Sequence, residues 1–179
     1  YGVWPLFETQ GNDKLAKACK QAIANRTSEN EASHALVHRS LIAARLKDSE
    51  SLSDALVKLM NHKIRYDSLM TNHDYDRGSC YCTDFAIGYL GIINEALVYS
   101  HDDDIELLPA LPTSGFENGT LKGIKTRNRA TVTELKWADG GKKISAVITS
   151  DIDQTLNVSA KGKTQNVTFK AGESKTIIF

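Results

Sequence analysis

Three cysteines give this sequence its first candidate for chemistry. Cys80 and Cys82 are separated by one residue, and Cys19 lies far from both in the chain. A structural zinc site needs about four ligands at defined spacings, which this pair alone does not meet. The pair is also too close to form an easy disulfide, and a bond from Cys19 to either cysteine would leave one thiol over. We therefore expect buried or loosely paired cysteines, with metal binding as the less favoured alternative.

A run of acidic residues is the second candidate. His101 is followed by Asp102, Asp103 and Asp104, and carboxylate oxygens are ligands that Ca²⁺ accepts. Consecutive acids rarely all point at one ion, so a solvated acidic loop is the favoured interpretation and a calcium site the alternative. The sequence predicts no cofactor and no bound metal.

Asp84 precedes a run that is almost entirely apolar from Phe85 to Val98. It stands where a helix N-cap belongs, and aspartate caps helices because its side chain accepts hydrogen bonds from first-turn N–H groups. Taken from the residues alone, capping is the favoured role for Asp84.

The elements that carry these residues change period along the chain. In the first half, apolar residues recur every three or four positions, which predicts helices. The first predicted helix is capped by Asn12, and the second follows a Ser28–Glu31 capping box and ends near Leu46. The third runs from about Ser53 to Tyr66, and the fourth from Asp84 to Ser100.

From residue 105 onward, apolar and polar residues alternate between turn signals, which predicts short antiparallel strands in a small β-sandwich. The predicted strands are Leu121–Lys125, Thr131–Trp137, Ile144–Ile148, Thr155–Val158, Val167–Phe169 and Thr176–Phe179. The fold class is thus α+β, with a helical part over 1–104 and an antiparallel β part over 105–179.

Composition excludes several classes of protein. The chain has 179 residues, 41% of them apolar, and equal numbers of basic and acidic residues, so a strongly basic nucleic-acid binder is not expected. The longest apolar runs are shorter than the roughly 18 residues of a membrane span.

The two parts of the chain differ in charge. Residues 1–104 carry 11 basic and 15 acidic residues, whereas residues 105–179 carry 11 basic and 7 acidic residues. Because the chain opens at Tyr1 inside an apolar run, we expect a piece of a longer polypeptide.

One continuous stretch carries a family resemblance. Residues 88–101 form a nearly all-apolar helix that ends in Ser100-His101, and an acidic loop then leads into Ile105-Glu-Leu-Leu-Pro-Ala-Leu-Pro112. This run resembles the C-terminal part of glycoside hydrolase family 95, the α-L-fucosidases and related α-galactosidases. Weaker similarities to the family are Tyr1-Gly-Val-Trp-Pro5, Ala43-Ala-Arg-Leu46, Asn118 to Lys125 and Leu135-Lys-Trp137.

The resemblance implies an architecture. Residues 1–104 would be the last helices of an (α/α)6 toroid barrel, and residues 105–179 the terminal β-domain of the same enzyme. The family's catalytic Glu, and an Arg-His pair that contacts the sugar, lie upstream of Tyr1. The implied partners are a glycan substrate and the missing N-terminal part of the polypeptide, with neither nucleic acid nor membrane. The implied location is secreted, cell-surface or periplasmic, in a bacterial source.

The resemblance also assigns roles to residues. Asp84 aligns with the catalytic Asp, the general base of an inverting mechanism. The family follows its Asp with Gly-Asn-Phe-Gly, and this chain keeps only Gly88 of that run. His73 resembles a sugar-contacting His, although the interval from His73 to Asp84 is five residues longer than in the family. A solvated loop histidine is the alternative for His73.

Other residues fit sugar binding less well. Trp4, Tyr75 and Tyr81 have rings that stack on sugars, but packing in the core or at its rim is the more common role. His34, His38 and Arg39 are expected on a helix surface or between helices. Cys80 and Cys82 fall in the interval between His73 and Asp84 that is longer than in the family. A disulfide from Cys19 to either cysteine would fix this interval to the first helix.

Two functions follow. The first is the C-terminal segment of an inverting exo-glycosidase that hydrolyses α-linked fucose or galactose from glycans. The alternative is a non-catalytic accessory or glycan-binding segment of a larger carbohydrate-active protein. A helical-plus-β interaction module is disfavoured, because the apolar fourth helix requires a large surrounding barrel.

Overall fold

The computed structural model of the chain describes residues 2–25, 32–60 and 82–179. Its contacts divide it into two compact units, Tyr1–Ile93 and Asn94–Phe179. The division falls inside the last helix, earlier than the boundary at residue 104 that the change of period indicates. The reason is that the last turn of this helix packs with the strands that follow it.

The helices are α1 Asp13–Ala24, α2 Ser33–Arg45, α3 Ser49–Leu59 and α4 Thr83–Leu97. The predicted cap of α1 is confirmed, since Asn12 Oδ1 accepts a hydrogen bond from the backbone N–H of Leu15 at 3.0 Å. In α2 and α3 one face is buried, through Leu36 and Leu41 on α2 and Leu52 and Leu59 on α3.

Two predicted helix starts are wrong. Helix α2 begins at Ser33 with Ala32 in the cap position, later than the predicted start, and the predicted Ser28–Glu31 capping box lies outside the described residues. Helix α3 begins after Asp48, whose Oδ1 accepts from the N–H of Ser51 at 3.1 Å, and not at Ser53. It ends at Leu59, and residues 61–66 of the predicted helix also lie outside the described residues.

The end of α4 is also corrected. The sequence predicts helix to Ser100, whereas α4 ends at Leu97 and strand β1, Val98–His101, follows at once. The carbonyl of Leu97 accepts from the N–H of Leu108 at 2.8 Å, and that of Ala96 accepts from Ala110 at 3.1 Å. Because carbonyls of the last turn are satisfied by the segment that follows β2, the helix can stop there without a glycine cap.

The second unit contains two four-stranded sheets, with strand orders β1-β2-β6-β7 and β3-β4-β5-β8. All six predicted strands are present, most of them longer than predicted. After β1, the strands are β2 Asp104–Leu107, β3 Gly119–Lys125, β4 Ala130–Ala138, β5 Lys143–Ser150, β6 Gln154–Ala160, β7 Lys163–Phe169 and β8 Ser174–Ile178.

The expectation of purely antiparallel strands is wrong in one place. Strand β2 pairs with β6 in parallel, from Asp104↔Asn157 to Leu107↔Ala160. The other pairings are antiparallel. The parallel pair arises because β3, β4 and β5 form the other sheet before the chain returns, and β6 then enters beside β2 in the same direction.

The core of this unit comes from alternate residues of the strands. Buried side chains with almost no exposed surface include Val132, Leu135, Ile148, Leu156 and Phe169. The weakly matching stretches of sequence meet here, since Gly119 pairs with Trp137 in register. A Cβ on Gly119 would lie 2.1 Å from Trp137 Cζ2, so only glycine admits this indole.

Candidate functional site

The predicted catalytic residue Asp84 is the second residue of α4, which begins one residue earlier than predicted, at Thr83. Asp84 therefore lies inside the first turn and not in the cap position. The predicted sugar contact His73 lies outside the described residues, and both assignments stay predictions.

Helix α4 presents two different faces along its length. Phe85 and Ile92 are buried, and the Phe85 ring lies 5.8 Å from that of Tyr89. Ile87 and Leu90 are 76% and 68% exposed. These two apolar side chains of α4 are therefore left uncovered.

An ion pair between a buried glutamate and an exposed arginine fixes the last turn of α4 within the second unit. Glu95 is 4% exposed and accepts a hydrogen bond from Arg127 Nη2, on the turn between β3 and β4. The N–H of Arg127 donates to Ser100 Oγ at 2.9 Å, and its Nη1 donates to the Ser100 carbonyl at 3.2 Å. The serine of the Ser-His pair thus accepts both hydrogen bonds and holds Arg127. Sequence reasoning missed Glu95, because a single acid in an apolar helix is usually assigned to solvent.

The acidic run does not converge on one point. Asp102 Oδ2 lies 3.1 Å from His101 Nδ1, whereas Asp104 Oδ1 accepts from Asn157 Nδ2 at 2.9 Å. The loop carbonyl of Asp103 accepts from the N–H of Asn157 at 2.8 Å. Across the described residues, no three His, Cys, Asp or Glu side chains are grouped to hold a metal ion. These contacts favour the solvated acidic loop over a calcium site.

The aromatic and histidine candidates on the helices also have structural surroundings. The Arg45 guanidinium lies 4.6 Å from the centroid of the Trp4 ring, so this ring packs on an arginine. His34 and His38 are exposed on α2 with ring centroids 4.9 Å apart. Tyr75 and Tyr81 lie outside the described residues.

Cys19 does not form a disulfide with Cys82. Cys19, on α1, has a free thiol, and Cys82 is buried in its reduced form just before α4. A disulfide from Cys19 to the segment between His73 and Asp84 is therefore not present. Cys80 lies outside the described residues.

A cavity of about 220 Å³ separates α1, α2 and α3. Its lining includes the charged residues Lys20, Arg39, Asp48, Asp54 and Lys58, so basic and acidic groups oppose each other across it. Among the described helices, none has both the length and the apolar character needed to cross a bilayer.

Comparison with known proteins identifies the C-terminal half. Residues 99–178 match the family model for the C-terminal domain of glycoside hydrolase family 95. The curated protein Alpha-L-fucosidase 2 of Arabidopsis thaliana is 24% identical over 147 residues, which are 78% of this chain. The chain spans 17% of the length of that relative. The family resemblance drawn from the sequence is thus supported, since residues 99–178 are similar to the C-terminal domain of glycoside hydrolase family 95.

Proposed function

We propose that the chain is the C-terminal segment of an inverting exo-glycosidase that removes α-linked fucose or galactose from glycans. The observation that carries this proposal is the position of Asp84. It lies in the first turn of α4, and this helix ends at Leu97, two residues before the matched domain begins. The name of the Arabidopsis relative, Alpha-L-fucosidase 2, supports fucose as one substrate.

In this mechanism Asp84 is the general base. It accepts a proton from a water molecule that attacks the anomeric carbon from the face opposite the leaving group. A second carboxyl group, set about 6.5–9.5 Å from the base, protonates the leaving oxygen. We assign that acid to a residue upstream of Tyr1, and a sugar contact to His73.

The uncovered face of α4 supports a place in a larger helical barrel. Ile87 and Leu90 point into solvent from a helix whose opposite face is buried. Clustered exposed apolar side chains usually mark a surface that another element covers. We assign α1 to α4 to the end of an (α/α)6 barrel, whose remaining helices would cover this face.

The test is Asp84→Asn in the complete enzyme. An amide cannot accept the proton from water, so turnover of a fucoside or galactoside should fall by about 10²–10⁴-fold. Sugar binding and the free energy of unfolding should change little, because Asn is nearly isosteric with Asp. The matched control is Asp48→Asn at the start of α3, where the cap hydrogen bond is retained and turnover should stay at the parent value.

A second candidate is a non-catalytic accessory segment that binds glycans or supports the barrel. The confirmed match supports it as well, because the matched residues form the β unit and not the helix that carries Asp84. Turnover within a few-fold of the parent in Asp84→Asn would favour this candidate. The location consistent with either function is outside the cytoplasm, where glycans are exposed.

A further inference from the structure

We propose that a cavity at one end of the β unit binds a sugar ring that carries an anionic group, either a carboxylate or a sulfate ester. The cavity lies between the β4–β5 turn and the β6–β7 turn and has a volume of about 420 Å³. Ligand pockets usually span about 300–1,000 Å³, so this space suits a mono- or disaccharide. The site is separate from Asp84 and goes beyond the proposed function.

Charge is the first argument. Lys142, Lys161 and Lys163 line the cavity, and no acidic side chain does. Most basic residues of 105–179 are held in ion pairs with acids. The basic residues of this segment that form no ion pair with a described residue are Lys125, Arg129, Lys142, Lys161 and Lys163. Three of these line the same cavity, which concentrates positive charge there.

The nearest acid does not cancel this charge. Asp139, at the start of the β4–β5 turn, accepts a hydrogen bond from Lys143 Nζ at 2.8 Å. That bond holds the pKa of the Asp139 carboxyl below its usual range and raises the pKa of Lys143. Asp139 is thus compensated mainly by Lys143, which does not line the cavity, with a smaller attraction to Lys142. Lys161 and Lys163 have no ion pair with a described acid.

Backbone geometry brings the two turns together. Gly141 has φ +78°, a conformation that side-chain-bearing residues rarely adopt. A Cβ on Gly141 would lie 3.1 Å from Lys161 Cε. Because Gly141 has no side chain, Lys161 of the β6–β7 turn can lie against the β4–β5 turn. This close approach places Lys161 at the edge shared by both turns.

The cavity also has an apolar wall. Its apolar lining residues are Ile144, Ala160 and Phe179, of which the half-buried Phe179 has exposed surface and the other two are nearly fully buried. The C–H face of a sugar ring is apolar and packs on such surfaces, whereas its charged substituent requires a cation. An apolar wall beside three ammonium groups therefore matches a uronic acid or a sulfated sugar better than a neutral sugar or a bare inorganic anion.

The test is calorimetric titration of the intact protein at low ionic strength. The probes are galacturonic acid, galactose 6-sulfate, galactose and inorganic sulfate. We expect both anionic sugars to bind more tightly than galactose and than sulfate, and the tighter of the two identifies the anionic group. Affinity should fall as salt is raised, because exposed charges are screened. Equal binding of galactose, or sulfate binding as tight as either sugar, would overturn the proposal.

Variants locate the binding. Each of Lys142→Gln, Lys161→Gln and Lys163→Gln should weaken anionic-sugar binding by about two- to fivefold, and the triple variant by at least about tenfold. Phe179→Ala should weaken the sugars more than sulfate. The control is Lys125→Gln, an exposed lysine at the opposite end of β3 that also has no ion-pair partner among the described residues. A loss in Lys125→Gln equal to that in the cavity variants would reject the site.

Discussion

At the scale of single residues, Arg45 organises the start of the chain. It is 4% exposed, and its Nη1 donates to the carbonyls of Leu6 at 3.0 Å and Val3 at 3.3 Å. Its guanidinium also lies 4.6 Å from the Trp4 ring and 4.0 Å from the Phe7 ring. The Tyr-Gly-Val-Trp-Pro and Ala-Ala-Arg-Leu stretches are therefore two parts of one packing arrangement.

This arrangement predicts the effect of Arg45→Lys. Lysine keeps the charge but cannot present a planar group to two rings and donate to two carbonyls in the same way. We expect the free energy of unfolding of the helical unit to fall by about 1–3 kcal/mol, measured by urea unfolding followed by circular dichroism at 222 nm. Arg39→Lys on the same helix, at a half-exposed position, should change it by less than about 0.5 kcal/mol. Equal effects would show that the stacking is unimportant.

At the scale of elements, α4 approaches α2 through a glycine. A Cβ on Gly88 would lie 2.7 Å from Val37 Cγ1, which is closer than side-chain atoms pack. Gly91, one turn later, has much more room, since its nearest atom would be Leu41 Cδ2 at 3.9 Å. Gly88 thus has a packing role, because it lets α4 approach Val37 of α2.

Gly88→Ala and Gly91→Ala should therefore have opposite effects. Alanine favours a helix over glycine by up to about 1 kcal/mol, so Gly91→Ala should raise the free energy of unfolding. In Gly88→Ala the overlap with Val37 outweighs that gain, and we expect a net loss of about 1–2 kcal/mol. In the Val37→Ala background, Gly88→Ala should no longer destabilise. Thermal unfolding of the four variants measures this, and a stabilising Gly88→Ala would contradict the close packing.

At the scale of the whole molecule, the β unit carries several surface ion pairs. Lys170 Nζ lies 2.9 Å from Asp153 Oδ2, and the N–H of Ala171 donates to Asp153 Oδ1 at 2.8 Å. The hydrogen bond from Lys170, with that from Ala171, holds the pKa of Asp153 below its usual range. The pKa values of Glu134 and Glu173 are lowered too, by Lys136 and by the N–H of Lys170 respectively.

These lowered pKa values predict acid sensitivity. Because the folded carboxylates hold protons less tightly than the unfolded ones, their stabilisation is complete above the ordinary carboxyl pKa of about 4–4.5 and is lost as pH falls through the folded pKa. The urea midpoint of the β unit should therefore decrease between pH 6 and pH 3. Asp153→Asn should lower the midpoint at pH 6 and reduce this pH dependence. An unchanged dependence in Asp153→Asn would show that other carboxylates cause it.

The sequence by itself determined the kinds of elements and pointed to a family resemblance. The 3.6-residue period located α1 to α4, the alternation located the later strands, and the run through Ser100-His101 carried the similarity to the matched C-terminal domain, because these signals depend on local spacing. Capping by Asn12 was predictable for the same reason, since donor and acceptor are three residues apart.

Only the tertiary structure decided what depends on distant partners. It ended α4 at Leu97, where the carbonyls are taken by residues beyond β2, and it aligned β6 parallel to β2 across about fifty residues. It also paired the buried Glu95 with Arg127 and brought Lys142 and Lys161 to the same cavity. Local spacing carries no information on these contacts, because they form only when separate strands and turns pack together.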